Sequence, residues 1–199
     1  LGIPLYIGYA ISALIVLPLV THGIAYISRF QVWSQPVWLV LQLIPLFYVF
    51  THPQSSLQEW LQFEGGAGSA AGSFNILLFG GASAVLMSLV AQIGEQADIL
   101  RFLPPKAENG SPAKWWTALL MAGPGWIVFG AGKLFLGSYL AFLLLKQGVL
   151  PAVASDPAHM YQDAFAYVFS NSTLGIVVAT IFVVLSQLKI NVANAYAGS

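Results

Sequence analysis

The sequence predicts an all-α protein, a polytopic bundle of membrane helices, from its composition and from the length of its apolar stretches. Charged residues make up 7% of the 199 residues and hydrophobic residues 58%, whereas a soluble domain carries roughly 25% charged residues. The mean hydropathy is +0.78. Several apolar runs reach the ~20 residues that a helix needs to cross a bilayer. We therefore expect about five transmembrane helices in a multi-pass protein of the plasma (inner) membrane, with the lipid bilayer as a partner.

Charge and residue usage exclude several other classes. The formal net charge is zero, so nothing indicates a nucleic-acid partner. The chain has no cysteine, which excludes disulfides and thiolate metal sites. No phosphate-binding loop, metal-ligand cluster or nucleophile constellation is present, so we expect neither an enzyme nor a cofactor. The chain begins inside an apolar run and stops without a helix end, and we expect an internal piece whose partners include the remainder of the same polypeptide.

Windowed hydrophobicity predicts five spans in one transmembrane region covering residues 1–199. The second span is short and contains Pro36 and Pro45. The fourth is unusually long, which indicates either a tilted helix or a kink at Pro124, where a backbone donor is missing between two glycines. The five spans are predicted at about 3–27, 35–51, 74–99, 114–147 and 172–195.

The connecting segments differ in character. Residues 53–73 predict a short interfacial helix and then a flexible loop, and residues 100–113 predict a polar turn. In the last connection, "DPAHMYQDAFAYVF", Asp156 can cap a helix that has Pro157 at its first position.

Basic residues set the predicted orientation. They follow the first and third spans, whereas the loop after the second span has none and the loop after the fourth has only Lys146. Because cytoplasmic loops carry an excess of Lys and Arg, the loops after spans one and three are predicted to be cytoplasmic. The residues that decide this are Arg29, Arg101, Lys106 and Lys114.

Two predicted spans carry polar stripes at bilayer depth, where charged groups are costly and usually face a protein interior or a water-filled cavity. The stripe on span three consists of Ser88, Gln92, Glu95 and Gln96. The stripe on span five consists of Thr180, Gln187, Asn191 and Asn194, with Ser186 and Lys189 beside it. We expect the two stripes to line a shared aqueous path. A structural role is the alternative: Glu95 could have a structural partner such as Lys133 in span four, and Asp98 could lie at the cytoplasmic interface.

Three segments carry a resemblance to a known family. "SLVAQIGEQADILRFLP", the long "KWWTALLMAGPGWIVFGAGKLFLGSYLA" and "SQLKINVANAYAGS" resemble the nucleobase–cation symport family, which contains the purine–cytosine permeases and hydantoin transporters. The segment "GIAYISRFQVWSQPVW" resembles the family's link between helices four and five. The resemblance implies a partial leucine-transporter-like fold in which the five spans are helices four to eight and the "DPAHMYQDAFAYVF" segment is an outer lid.

The resemblance also implies roles for the stripes. Helix six would contribute to the substrate site around Met87–Gln92, and helix eight would contribute an amide, Asn191 or Asn194 depending on register. With Asn194 as the amide, Lys189 falls where sodium-dependent relatives place hydroxyl ligands, so that its ammonium would take the cation's place. In the other register Ser186 falls there and sodium coupling survives. The coupling ion is thus Na⁺ or H⁺. The tryptophan that some relatives stack on the substrate has no counterpart here.

Two functions from different classes follow. The first is a secondary active transporter that moves a small-molecule substrate, a nucleobase or a related polar solute, by alternating access. The alternative is a transporter-like membrane sensor module of a signalling protein such as a histidine kinase. A third possibility is a truncated fragment that is not functional by itself, because helices one to three would be missing.

Overall fold

The structure of the protein is a computed structural model that describes residues 4–63, 74–108 and 111–197, apart from the side chains at 5, 86, 88–95, 98, 99, 107, 126 and 197. The described residues form helices and no strand, which confirms the all-α prediction. A 3₁₀ turn, Lys106–Glu108, precedes the fifth helix. The α-helices of the described residues are α1 (Leu5–Thr21), α2 (Ile24–Thr51), α3 (Leu57–Leu61), α4 (Ile76–Leu100), α5 (Pro112–Ala122), α6 (Gly125–Lys146), α7 (Pro151–Ala154), α8 (Pro157–Phe169) and α9 (Ser172–Ala197).

Three described helices are long and apolar enough to cross a membrane: Ile24–Thr51, Ile127–Lys146 and Ser172–Tyr196. Two shorter apolar helices, Tyr6–Thr21 and Ile76–Val85, correspond to the first and third predicted spans. Large apolar side chains lie on the surface, as for Phe50 and Leu77, which are 81% and 83% exposed. Such surfaces suit lipid rather than water.

The chain divides into two compact units. The first contains residues Leu1–Ser55 and Lys146–Ser199, and the second contains Ser56–Leu145. A single transmembrane region over residues 1–199 stays a prediction.

In the first unit, α9 packs against α8, α2 and α1. Two apolar clusters hold these helices together. At one end Val16, Ile27 and Val192 bring α1, α2 and α9 into contact. At the other end Phe165, Ala179 and Phe182 join α8 to α9, with Trp38 and Leu41 of α2 packed against them.

The hairpin between α8 and α9 is tight. Ser170 ends α8 in the left-handed conformation, with φ +50°, and the Asn171 side chain caps α9 by accepting a 3.0 Å hydrogen bond from the Leu174 amide. One turn into α9, a Cβ built on Gly175 would lie 2.6 Å from the Ala166 Cα. Only glycine allows the two backbones to approach this closely.

In the second unit the long fourth span is interrupted where Pro124 was expected to kink it, because α5 ends at Ala122 and α6 begins at Gly125. The short helix expected after the second span is α3. Its Trp60 donates a 3.2 Å hydrogen bond to Ser138 of α6, and its ring meets that of Tyr139 edge-on at 5.5 Å.

The boundaries of the first two spans differ from the prediction. The break falls at Gly23, whose φ of +79° ends α1 and separates it from α2. From Ile24 the chain is helical without interruption, and Pro36 and Pro45 lie inside α2. Arg29 and Ser34, expected in a connecting segment, therefore lie on a candidate membrane-spanning helix.

The predicted cap of α8 is present. Asp156 precedes the helix, its carboxylate accepts a 2.9 Å hydrogen bond from the Ala158 amide, and Pro157 occupies the first turn. A second carboxylate oxygen lies 2.8 Å from Nδ1 of His159. The two hydrogen bonds hold the pKa of Asp156 below its usual value, and the one with His159 has the larger effect.

Candidate functional site

A polar contact between two of the candidate spans joins Lys189 of α9 to α2. The Lys189 ammonium donates hydrogen bonds to the Ser34 hydroxyl at 3.1 Å and to the Gln31 carbonyl at 3.3 Å. In return the Gln31 side-chain amide donates to the Lys189 carbonyl at 3.0 Å. The two helices are thus joined by reciprocal hydrogen bonds, and the lysine side chain is half-buried.

Helical spacing produces this contact. Gln31, Ser34 and Trp38 follow one another at i, i+3 and i+7 and so share a face of α2. On α9, Ser186 and Lys189 are three residues apart and share a face in the same way. The indole N–H of Trp38 donates a 2.9 Å hydrogen bond to the Ser186 hydroxyl, one turn away from the lysine contact. We call these five residues the α2–α9 polar seam.

Apolar groups flank the seam on both sides. Leu188 and Phe30 pack on the cluster around Val192, and Trp38 packs on the cluster around Phe182. Within two candidate spans, the Lys189 nitrogen is held by two uncharged acceptors, the Ser34 hydroxyl and the Gln31 carbonyl.

The predicted stripe on α9 does not act as one surface. Asn191 is half-buried, and its amide donates a 3.2 Å hydrogen bond to Ser12 of α1. Asn194 and Gln187 are exposed, and the Thr180 hydroxyl donates to the Ile176 carbonyl of its own helix. Ser186 and Lys189, predicted to lie beside the stripe, make the contacts to α2.

The predicted helix-six residues lie on α4. The side chains of Ser88, Gln92 and Glu95 fall outside the described residues, whereas Gln96 is half-buried. α4 belongs to the second unit and α9 to the first. The expected meeting of the two stripes across an aqueous path therefore stays a prediction.

Sequence reasoning missed a second polar cluster, which joins the end of α2 to α8. The Tyr48 hydroxyl donates a 2.6 Å hydrogen bond to the Asp163 carboxylate. The Gln147 amide lies 3.1 Å from the Tyr48 oxygen and 3.5 Å from the same carboxylate oxygen. Tyr48 is almost fully buried, so this cluster fixes α8, the predicted lid, against α2 at the side predicted to face outward.

Aromatic rings close the cluster. The His52 ring lies 4.9 Å from the Tyr48 ring and 5.0 Å from the Tyr167 ring. Burial, and to a smaller extent the positive charge of Lys146, lower the pKa of His52, although Asp163 acts in the opposite direction. The neutral imidazole is therefore favoured beside these rings.

Between the seam and this cluster, Gln42 and Tyr161 bring α2 and α8 together through their side chains. Gln42 is nine-tenths buried, and its Oε1 has no hydrogen-bond partner among the described residues. Burial raises the pKa of Tyr161.

A periodic signal on α2 could have found these residues. Ser34, Trp38, Gln42 and Tyr48 recur near helical spacing and would have marked one buried face. A hydropathy average mixes these residues with their apolar neighbours and therefore indicates only an apolar span.

Among the described residues, no group of three His, Asp or Glu side chains is arranged to hold a metal ion. Comparison with known protein families, with characterised proteins and with solved structures found no match.

Proposed function

We propose that the chain is part of a secondary active transporter that moves a nucleobase or a related small polar solute by alternating access. The observation that carries the proposal is Lys189, a cationic side chain within a candidate span that is held by polar groups of a second span. An ionisable side chain inside a membrane span costs free energy when it faces lipid. Where such residues occur, they face a protein interior or a water-filled cavity and mark functional sites.

The resemblance to purine–cytosine permeases and hydantoin transporters supplies the substrate class and the leucine-transporter-like arrangement. In this proposal Ser88, Gln92, Glu95 and Gln96 line one wall of the substrate path, and Asn191 and Asn194 line the other. The half-buried Asn191, whose amide meets α1, supports a position inside the helical bundle more than the exposed Asn194 does.

The proposed coupling site lies at the α2–α9 polar seam. Lys189 supplies a fixed positive charge at the position where a coupling cation would bind in the Asn194 register. Ser186, whose hydroxyl accepts the Trp38 indole hydrogen bond, is the hydroxyl ligand in the other register. The first register favours transport that is driven by protons or runs without sodium, and the second favours coupling to sodium.

The test is uptake of radiolabelled nucleobases by the full-length parent protein in vesicles, with and without a sodium gradient. The triple variant Glu95→Ala, Gln92→Ala, Asn194→Ala is expected to abolish uptake while membrane insertion is retained. Uptake equal to that of the unaltered protein would remove these residues from the mechanism. Binding of a nucleobase without any uptake would favour the sensor alternative.

A further inference from the structure

An open groove lies where α1 ends and α2 begins. Its volume is about 620 Å³, and its lining is almost entirely apolar. The residues that line it are Leu19, Tyr26, Ser28, Arg29, Phe30, Val32 and Trp33. All of them belong to the first unit. The groove shares no residue with the α2–α9 polar seam, although Phe30 precedes Gln31 of the seam in sequence.

The groove combines two chemistries. One wall is apolar and exposed, since Val32 is 71% and Trp33 84% exposed. At the edge lies Arg29, also exposed, whose guanidinium carbon is 5.9 Å from the centre of the Tyr26 ring. An exposed cation beside exposed tryptophan and tyrosine is typical of the membrane–water interface, where aromatic rings lie at the level of the lipid headgroups.

Charge complementarity selects the occupant. The Arg29 guanidinium attracts the net negative charge of an anionic headgroup and can bind two of its phosphate oxygens. A free phosphate would use only Arg29 and would leave the apolar wall uncovered. A phospholipid uses both, because its phosphate and its acyl chain are joined in one molecule.

We propose that this groove binds an anionic phospholipid, with the headgroup phosphate at Arg29 and one acyl chain along Leu19, Phe30 and Trp33. The first turns of α2 are predicted to lie at the cytoplasmic side, where anionic lipids attract basic side chains. This proposal does not depend on the transport proposal.

The test uses Trp33 as a reporter of the lipid in the groove. The protein is reconstituted in phosphatidylcholine vesicles that contain either brominated phosphatidylglycerol or brominated phosphatidylcholine, because bromine quenches a neighbouring tryptophan. The quenching lost in Trp33→Phe under the same conditions is the signal of the groove. We expect phosphatidylglycerol to be preferred over phosphatidylcholine by about fivefold, as for one basic residue at an anionic surface.

Arg29 variants decide whether the charge is responsible. Arg29→Gln should reduce the preference to about one, as expected when the single basic residue is lost, and Arg29→Lys should keep most of it. Arg101→Gln, which removes an exposed arginine of the second unit, should leave it unchanged. Circular dichroism checks that each variant retains its helix content.

Three results would overturn the proposal. Equal quenching by the two lipids would show that the groove does not select an anionic lipid. A preference that survives Arg29→Gln, or that Arg29→Lys loses, would show that the charge does not bind it. Quenching by neither lipid would show that protein, such as a second copy of the chain, covers the groove.

Discussion

The hydroxyl of Tyr48 donates a 2.6 Å hydrogen bond to the carboxylate of Asp163, and this bond ties the end of α2 to α8. Because Tyr48 is 1% exposed, water cannot replace the hydroxyl easily. The Gln147 amide, 3.5 Å from the same oxygen, is the weaker of the two donors.

Tyr48→Phe should therefore destabilise the protein by about 1.5–3 kcal/mol, the range for a hydrogen bond to a charged group. The measurement is the free energy of unfolding in detergent, followed by circular dichroism. Tyr167→Phe is the matched control, since Tyr167 is partly exposed and its hydroxyl donates to the Thr51 carbonyl at 3.1 Å. Its cost should be smaller, and equal costs would contradict the importance assigned to Asp163.

Stability should fall in mildly acidic solution because of His52. Its pKa is lowered from 6.5 in the folded protein, mainly by burial, so the unfolded chain binds the proton more readily. The stability that the neutral His52 imidazole provides is fully present above pH 6.5 and is lost as the pH falls below that value. The measurement is the free energy of unfolding as a function of pH. His52→Phe keeps a ring beside Tyr48 and should flatten the curve between pH 5 and 7, and an unchanged curve would assign the effect to another group.

Gly175→Ala should separate α8 from α9. The added methyl group would lie 2.6 Å from the Ala166 backbone, and overpacking of this kind costs about 1–3 kcal/mol. The matched control is Gly137→Ala in α6, where no described atom lies within 4 Å of the new Cβ. Because alanine favours helix more than glycine does, the control should be neutral or stabilising. If thermal unfolding midpoints of the two variants were the same, the close approach would not matter to stability.

The sequence predicted α9 almost to its ends, from 172–195 against Ser172–Ala197. An apolar run of this length, preceded by the capping residue Asn171, contains its own boundaries, because caps and hydropathy are local properties. The same local signals located the break at Pro124 and the start of α8.

The start of α2 could not be predicted in this way. Ser28, Arg29, Gln31 and Ser34 lower the hydropathy there, and the segment therefore resembled a loop between two spans. In the structure Gln31 and Ser34 are satisfied by Lys189, which lies more than 150 residues further along the chain. The partner that allows a polar segment to remain on a membrane helix is non-local, and no window of sequence contains it. The Tyr48–Asp163 contact, between residues 115 apart, was missed for the same reason.

Lys189→Met should reduce transport while the protein stays folded. Methionine has a similar length, and the Ser34 hydroxyl keeps its 2.7 Å hydrogen bond to the Phe30 carbonyl, so the fold should tolerate the loss of a partly buried charge. If the ammonium serves in place of a coupling cation, nucleobase uptake should fall about tenfold or more, in line with the loss of one charge-assisted hydrogen bond.

The matched control for Lys189→Met is Lys146→Met, which removes an exposed ammonium that donates to the Gln54 carbonyl at 3.1 Å. Uptake should then be unchanged. The two variants are compared at equal amounts of inserted protein, since a lower amount alone would reduce uptake.

Because the lysine holds α2 against α9 and also carries the charge, Lys189→Gln adds a further distinction: glutamine can still donate to Ser34 but has no charge. Uptake restored by glutamine would mean that the hydrogen bond between the helices is what transport needs. Uptake lost in both variants would mean that the positive charge is required.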